Sequence, residues 1–290
     1  MNRTLSWGRR PLKRVRSLCA ACALGIGLML APGCESETTK RMGEQGSIFA
    51  AFSLPTPAEA ARFAVDPYDA NKRIVGLALL SNAPFGGDEV YLKVYRMALG
   101  APPAEKPDSD AGVQAVAARA LSLHGTGEDA LLVLPLLENS DRRVRTDAVR
   151  SLQRLHNPKA IDGLIKRSSA LTEEDVDARA ESVTALAQYA EPRVLQALLA
   201  ALSDDSLVVN RAATYSLTTL TGQTLGDDPR AWLDWLSKTR APFEKRRQYV
   251  YPHFERDRFW YEYIPFIPPP PNEQPGIPAG MNPASSPPPG

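Results

Sequence analysis

Histidine and cysteine are scarce in this chain, with three of each among 290 residues. A metal centre needs His, Cys or carboxylates gathered at ligand spacing. His124, His156 and His253 are widely separated, and Cys19 and Cys22 fall in a single apolar run, so no metal site is expected. Nucleophilic catalysis needs an activated Ser or Cys beside a base, and the sequence has no G-x-S-x-G elbow. A Walker loop and a G-x-G-x-x-G turn are also missing, so no cofactor is expected. Net charge is low, at +1, and its source is local. Without residues 1–33, which hold Lys and Arg but no acid, 28 basic residues face 33 acidic ones. A nucleic-acid binder carries a basic footprint, so no nucleic-acid partner is expected. Together these absences argue against an enzyme.

Long apolar runs are missing too, save one. Residues 17–30, with Leu18, Leu24, Ile26, Leu28 and Leu30, follow a basic stretch from Arg3 to Arg16. The run falls short of the roughly 20 residues that span a bilayer. Residues 1–33 therefore read as a cleavable secretory signal, with an uncleaved anchor as the alternative. Leu30-Ala31-Pro32-Gly33-Cys34 comes next. This resembles the lipobox of bacterial lipoproteins, although Ala31 stands where that family usually has Leu and Pro32 is unusual there. The resemblance implies cleavage after Gly33 and lipidation of Cys34. It also implies a protein exported to the cell envelope and lipid-anchored facing the periplasm. Loss of the signal would leave Cys34 as the sole thiol, and lipidation removes the liability of a free thiol in an oxidising compartment. Residues 34–53 are polar and aperiodic and read as a tether.

From residue 54 the chain repeats. A small residue recurs at Gly76, Ala117, Ala148, Ser182 and Ala213, with a leucine four later at Leu80, Leu121, Leu152, Leu186 and Leu217. Three before each small residue stands a polar one: Arg73, Gln114, Arg145, Arg179 and Asn210. Four earlier again come Asp69, Asp110, Asp141 and Asp175, with Ser206 beside Asp205 in the fifth copy. Copies every 31 to 41 residues mark a solenoid. Each Asp suits a helix N-cap. The small residue admits a close neighbour, and the leucine one turn on fills the core. Pro158 and Pro192 suit the first turn of a second helix, and 130–137, 160–165 and 194–202 read as apolar second helices. The pattern resembles HEAT repeats, most clearly over 141–165. The expected fold is all-α: a short α-solenoid of about five HEAT-like hairpins over 54–238. In HEAT proteins similar arginines pair with an aspartate of a neighbouring repeat, so the resemblance implies a structural ladder of Arg73, Arg145 and Arg179 with Asp141 and Asp175 as partners.

Helix 229–238 puts Trp232 and Trp235 on one face, three residues apart, and reads as a cap sealing the last repeat. Residues 239–264 interleave basic and aromatic residues and read as a strap along the solenoid. Its Tyr249, Tyr251, Phe254, Phe259, Trp260, Tyr261 and Tyr263 are candidate partner contacts. Residues 265–290 hold eleven prolines and one charge and should be extended and disordered. His124 and His156 sit at helix ends, where the dipole favours them, and the acids Glu173, Glu174, Asp175 and Asp177 suit a helix start. Gly86 and Gly87 read as a turn. The function these readings favour is a membrane-tethered HEAT-repeat scaffold or adaptor for another cell-envelope protein. The alternatives are a structural envelope lipoprotein without a discrete partner and, behind it, a HEAT-like enzyme of lyase or glycosylase type.

Overall fold

The computed structural model describes residues 55–252 and 275–282. Eleven α-helices follow one another among the described residues: α1 (Pro57–Ala64), α2 (Ala70–Ser81), α3 (Glu89–Ala98), α4 (Ala111–His124), α5 (Ala130–Val133), α6 (Arg142–Arg154), α7 (Ile161–Arg167), α8 (Val176–Leu186), α9 (Pro192–Ala201), α10 (Leu207–Thr221) and α11 (Pro229–Lys238). No β-strand longer than an isolated bridge forms among them. This is a short all-α solenoid. The even-numbered helices α2 to α10 pack each on the next as one layer, and α1 packs on α2. The odd-numbered helices α3 to α9 form the second layer, each beside an even-numbered one.

Local chemistry sets the helix starts. Thr56 and Glu59 close a capping box ahead of α1, satisfying backbone N–H groups that a helix start leaves free. Asp69, Asp110, Asp141 and Asp175 each accept a backbone N–H of the following helix. Ser206 occupies the same place before α10 but makes no side-chain cap bond. The second helices are less regular. The stretch 130–137, expected as one helix, divides into α5 and the 3-10 turn Leu134–Glu138. Pro135 is the reason: it has no N–H to donate and its ring crowds the preceding turn. Pro158 opens a 3-10 turn, Pro158–Ala160, ahead of α7.

The interior is built on the repeat positions. Ala117, Ala148, Ser182 and Ala213 are fully buried, as are Leu121, Leu152, Leu186 and Leu217, with Leu80 nearly so. Burying each leucine stabilises the fold by about 1.5–3 kcal/mol. Gly76 has a sharper constraint, since a Cβ there would lie 2.6 Å from the Ala60 carbonyl oxygen of α1. Trp232 is buried and donates its Nε1–H to the Gly226 carbonyl at 2.8 Å. Trp235, half-buried, meets it edge-on with ring centroids 6.3 Å apart. Gly222 ends α10 at φ 71°, left-handed, with Lys245 laid against it.

The C-terminal part departs from expectation. Residues 265–290 were expected to be disordered, yet within them 275–282 lie on the solenoid. The Ala279 N–H donates to the Arg154 carbonyl at 2.7 Å, and the His156 N–H donates to the Ala279 carbonyl at 2.8 Å. Small residues explain the docking of a proline-rich segment: Gly280 packs directly on Gly127, with no side chain on either to hold the backbones apart. Residues 1–54, 253–274 and 283–290, which include Gly33, Cys34 and the 34–53 tether, lie outside the described residues.

Candidate functional site

The layer of even-numbered helices has two edges. At the N-terminal edge the polar repeat residues build a ladder. The Arg73 guanidinium meets Asp108 at 2.8–2.9 Å, Arg145 meets Glu173 with two hydrogen bonds of 2.7 Å, and Arg179 meets Asp204 at 2.9 and 3.1 Å. Each arginine also donates back to a carbonyl just ahead of its own helix: Asp66, Asn139 and Glu173 respectively. The partners are therefore not Asp141 and Asp175, as the family resemblance implied. Those two residues are caps, and Asp175 takes only an exposed contact from Arg142 at 3.0 Å. The true partners stand two residues before a cap position, where each also accepts the cap residue's N–H.

Gln114 and Asn210 hold the arginine position in the other two repeats and make the same backward bonds, to the Asp108 and Asp204 carbonyls. By repeat register the carboxylate position that would answer Gln114 is filled by the neutral Asn139, which accepts the Asp141 N–H. Charge is thus absent from both sides of that rung at once.

Glu173, read from sequence as a helix-start acid, is the most buried member of the ladder. Its side chain has no exposure and is bonded by both Arg145 and Arg167. Burial works to raise its carboxyl. The Arg145 hydrogen bonds, the Asp175 N–H and Arg167 overcome that and hold it below the usual carboxylate range. Asp204 is held low in the same way by Arg179 against the pull of burial. Between the starts of α6 and α8 lies an open depression of about 730 Å³ that includes Arg142, Arg145, Glu174 and Asp175. Arg142 and Arg145 are both already paired there. Large apolar side chains stand free along the same edge: Tyr68 and Leu171 are each 95% exposed, Val208 57% and Leu207 55%.

The C-terminal edge is different. Side chains here reach back to carbonyls of the preceding repeat, the groups a helix end leaves unpaired. His124 Nε2 lies 2.7 Å from the Ser81 carbonyl, Asn157 Nδ2 donates to Gly127, Gln188 Nε2 donates to Leu152, and Tyr189 Oη donates to Asn157. The His124 ring lies against Gly86 and Gly87, where a Cβ on Gly86 would sit 2.8 Å from Nε2, which accounts for both glycines. His156 stacks on Tyr189 at 4.9 Å, and burial pushes its imidazole below the ordinary value despite Gln188. The two histidines serve different junctions, and His253 lies outside the described residues. Among the described residues no group of three or more His, Cys, Asp or Glu is placed to hold a metal ion.

This edge is covered by the chain's own C-terminal part. The Arg247 N–H donates to the Thr219 carbonyl at 2.7 Å, Tyr215 Oη bonds the Val250 carbonyl, and the Arg154 guanidinium lies 5.2 Å over the Tyr251 ring. The Tyr251 N–H donates to the Gly276 carbonyl, joining the strap to the tail. Tyr249, named from sequence as a partner contact, is 1% exposed and fills the seam, and burial pushes its hydroxyl well above its usual range. It contacts its own chain because the apolar ring finds a pocket between α8 and α10. Phe254, Phe259, Trp260, Tyr261 and Tyr263 lie outside the described residues. Docking of 275–282 was missed from sequence. Its one signal is Gly-Ile-Pro-Ala-Gly at 276–280, where small residues interrupt the prolines.

A model of the PBS lyase HEAT-like repeat family matches residues 178–204, from Arg179 and Ser182 of α8 to the ladder acid Asp204. The chain thus carries a HEAT-like repeat at 178–204, set within an all-α solenoid. A solved structure, the YibA protein of Escherichia coli, aligns with 80% of this chain and 100% of its own at 14% identity and a TM-score of 0.33, a likeness too loose to carry any argument. No curated protein matches the sequence. Among the described residues no helix is long and apolar enough to cross a membrane.

Proposed function

We propose that this HEAT-repeat domain is a scaffold tethered to the cell envelope through lipid on Cys34, and that it binds another envelope protein through the solenoid surface without chemistry of its own. The observation that carries the reading is the N-terminal edge. Its recurring arginines are paired within the ladder, while Tyr68, Leu171, Leu207 and Val208 stay exposed. Leu171, Leu207 and Val208 stand at or shortly before the starts of two adjacent even-numbered helices, where exposed apolar side chains suit an interaction surface. Solenoids bind through such extended surfaces. The tether follows from the Gly33-Cys34 sequence, since two or more acyl chains hold a protein stably on a membrane.

The test has two arms. A photo-crosslinking residue placed at Leu171 or Leu207 in intact cells is expected to give a discrete adduct with one envelope protein, and the same residue at exposed Leu233 of α11 is not. Crosslinks at none of these positions, or equally at all three, would remove the binding reading. Mass spectrometry of the mature N-terminus is expected to find acylated Cys34; an unmodified N-terminus elsewhere would remove the tether.

A further inference from the structure

The seam beneath the strap has a different chemistry from the core. Fully buried alanine, leucine and valine dominate the interior, whereas the strap lies on Arg154, Gln188, Tyr215 and Thr219 beside Ala187 and Leu220. Surfaces covered permanently are mostly apolar, and surfaces that open and close are more polar. The bonds that hold the strap and tail to the solenoid are largely main-chain ones. The Thr219 and Arg154 carbonyls belong to the last turns of α10 and α6, where a helix leaves its carbonyls unpaired. They accept from Arg247 and Ala279, and any extended backbone offers the same N–H groups. The self-docked segment also fits imperfectly, since its Tyr249 Oη is buried without a hydrogen-bond partner. A buried hydroxyl left unpaired weakens the state that buries it.

We propose that the groove along the C-terminal ends of α6, α8 and α10 is a docking site for an extended peptide segment of a partner protein. Residues 245–252 and 275–282 occupy it as a displaceable self-ligand, and the segment it fits best carries phenylalanine where this chain has Tyr249. A phenyl ring fills the same pocket and leaves no hydroxyl unpaired. The strap begins only a few residues after α11, so its local concentration is high, and a partner segment must fit better than the strap to replace it. This deepens the scaffold reading and rests on it only for the existence of a partner.

The test uses the full chain and a fluorescein-labelled peptide of residues 244–252. The Tyr249→Ala chain is expected to bind the peptide at least about tenfold more tightly than the unaltered chain, because its own strap no longer fills the pocket. The Tyr249→Phe chain is expected to bind it about tenfold more weakly. A peptide carrying Tyr249→Phe is expected to outcompete the unaltered peptide by a similar factor. Hydrogen exchange supplies a second readout should Tyr249→Ala fold poorly. The Arg247 and Ala279 amides of the unaltered chain are expected to exchange faster than interior amides of α6 and α8, and to slow in Tyr249→Phe. Equal peptide affinity for the unaltered and Tyr249→Phe chains, or strap amides that exchange only as slowly as the helix interiors, would overturn the proposal. No envelope partner is used here, so a negative result leaves the crosslinking test standing. Loss of crosslinks with exchange intact would remove the scaffold reading instead.

Discussion

The two edges of one solenoid solve the same problem in opposite ways. At the N-terminal edge the repeats are joined by side-chain ion pairs, Arg145 to Glu173 and Arg179 to Asp204, and the surface around them is left open. At the C-terminal edge the first two repeats share the Arg96–Asp129 pair, the later ones are joined by neutral bonds through Asn157, Gln188 and Tyr189, and the chain's own tail covers the surface. A helix start offers N–H groups and positive potential, which suits carboxylates. A helix end offers carbonyls, which suit amide and hydroxyl donors. The polarity of the helix therefore favours one chemistry at each edge. The charged edge is locked by geometry, and the neutral edge is closed by a segment that can leave.

The largest expected effect breaks the charged edge at its most buried point. Glu173→Ala leaves Arg145 and Arg167 facing each other with no carboxylate between them. Removing one partner of a buried pair costs about 3–5 kcal/mol, so the urea unfolding midpoint should fall sharply. A loss below about 1 kcal/mol would mean that the ladder decorates the edge without joining its repeats. The next effect tests the neutral rung. Gln114→Arg and Asn139→Asp should each destabilise alone, because each adds a charge without its partner. Together they should recover, with a coupling of about 1–2 kcal/mol in a double-mutant cycle. Simple additivity of the two would show that positions 114 and 139 do not form a rung of the ladder.

Much of the fold was legible in the sequence because the repeat imposes one spacing on residues with one task each. Asp110 before α4 caps it, Ala148 admits its neighbour, and Leu186 fills the core. The ladder was legible only in half. Arg145 and Arg179 recur in register, but Asp108, Glu173 and Asp204 sit in loops whose lengths vary, and acids at the caps beside them drew the pairing to Asp141 and Asp175. Tyr249 and 275–282 were not legible as packing segments. Neither has a helical or strand period, and a proline-rich run carries no pattern that announces where its backbone will meet a helix end. The readings that concern function most, at Cys34 and in the aromatic run from Phe254 to Tyr263, fall outside the described residues.

A smaller effect is expected from the neutral edge. Asn157→Ala removes the bond to the Gly127 carbonyl and the cap on the Lys159 N–H. A lost cap and a lost hydrogen bond together should cost about 1–2 kcal/mol. The larger consequence should be local, with faster exchange at the Ala279 amide, because Gly127 and His156 form the floor on which Gly280 rests. If global stability falls as far as in Glu173→Ala, the two edges are not distinct in strength.

The smallest effect separates the edges along a pH axis. The His156 ring is faced by Gln188 and Tyr189 from the end of α8 and by Arg246 from the strap, and its main-chain N–H bonds the Ala279 carbonyl of the tail. Burial lowers its folded pKa below the 6.5 of the unfolded chain. The unfolded chain therefore takes up the proton first. The stability His156 contributes is complete above 6.5 and is lost as pH falls from there through the folded value. Glu173 and Asp204 are also lowered, but from 4.5 and 3.8, so their contribution persists to more acidic pH. Acidification from pH 7.5 to 5.5 should thus speed exchange at Arg247 and Ala279, after correction for intrinsic rates, while the Arg145 and Arg179 amides, bonded to the Asp141 and Asp175 carbonyls, stay protected. His156→Gln keeps a polar side chain that does not titrate there and should abolish the difference. Strap amides insensitive to pH in both proteins would mean that the C-terminal edge is held as firmly as the charged one.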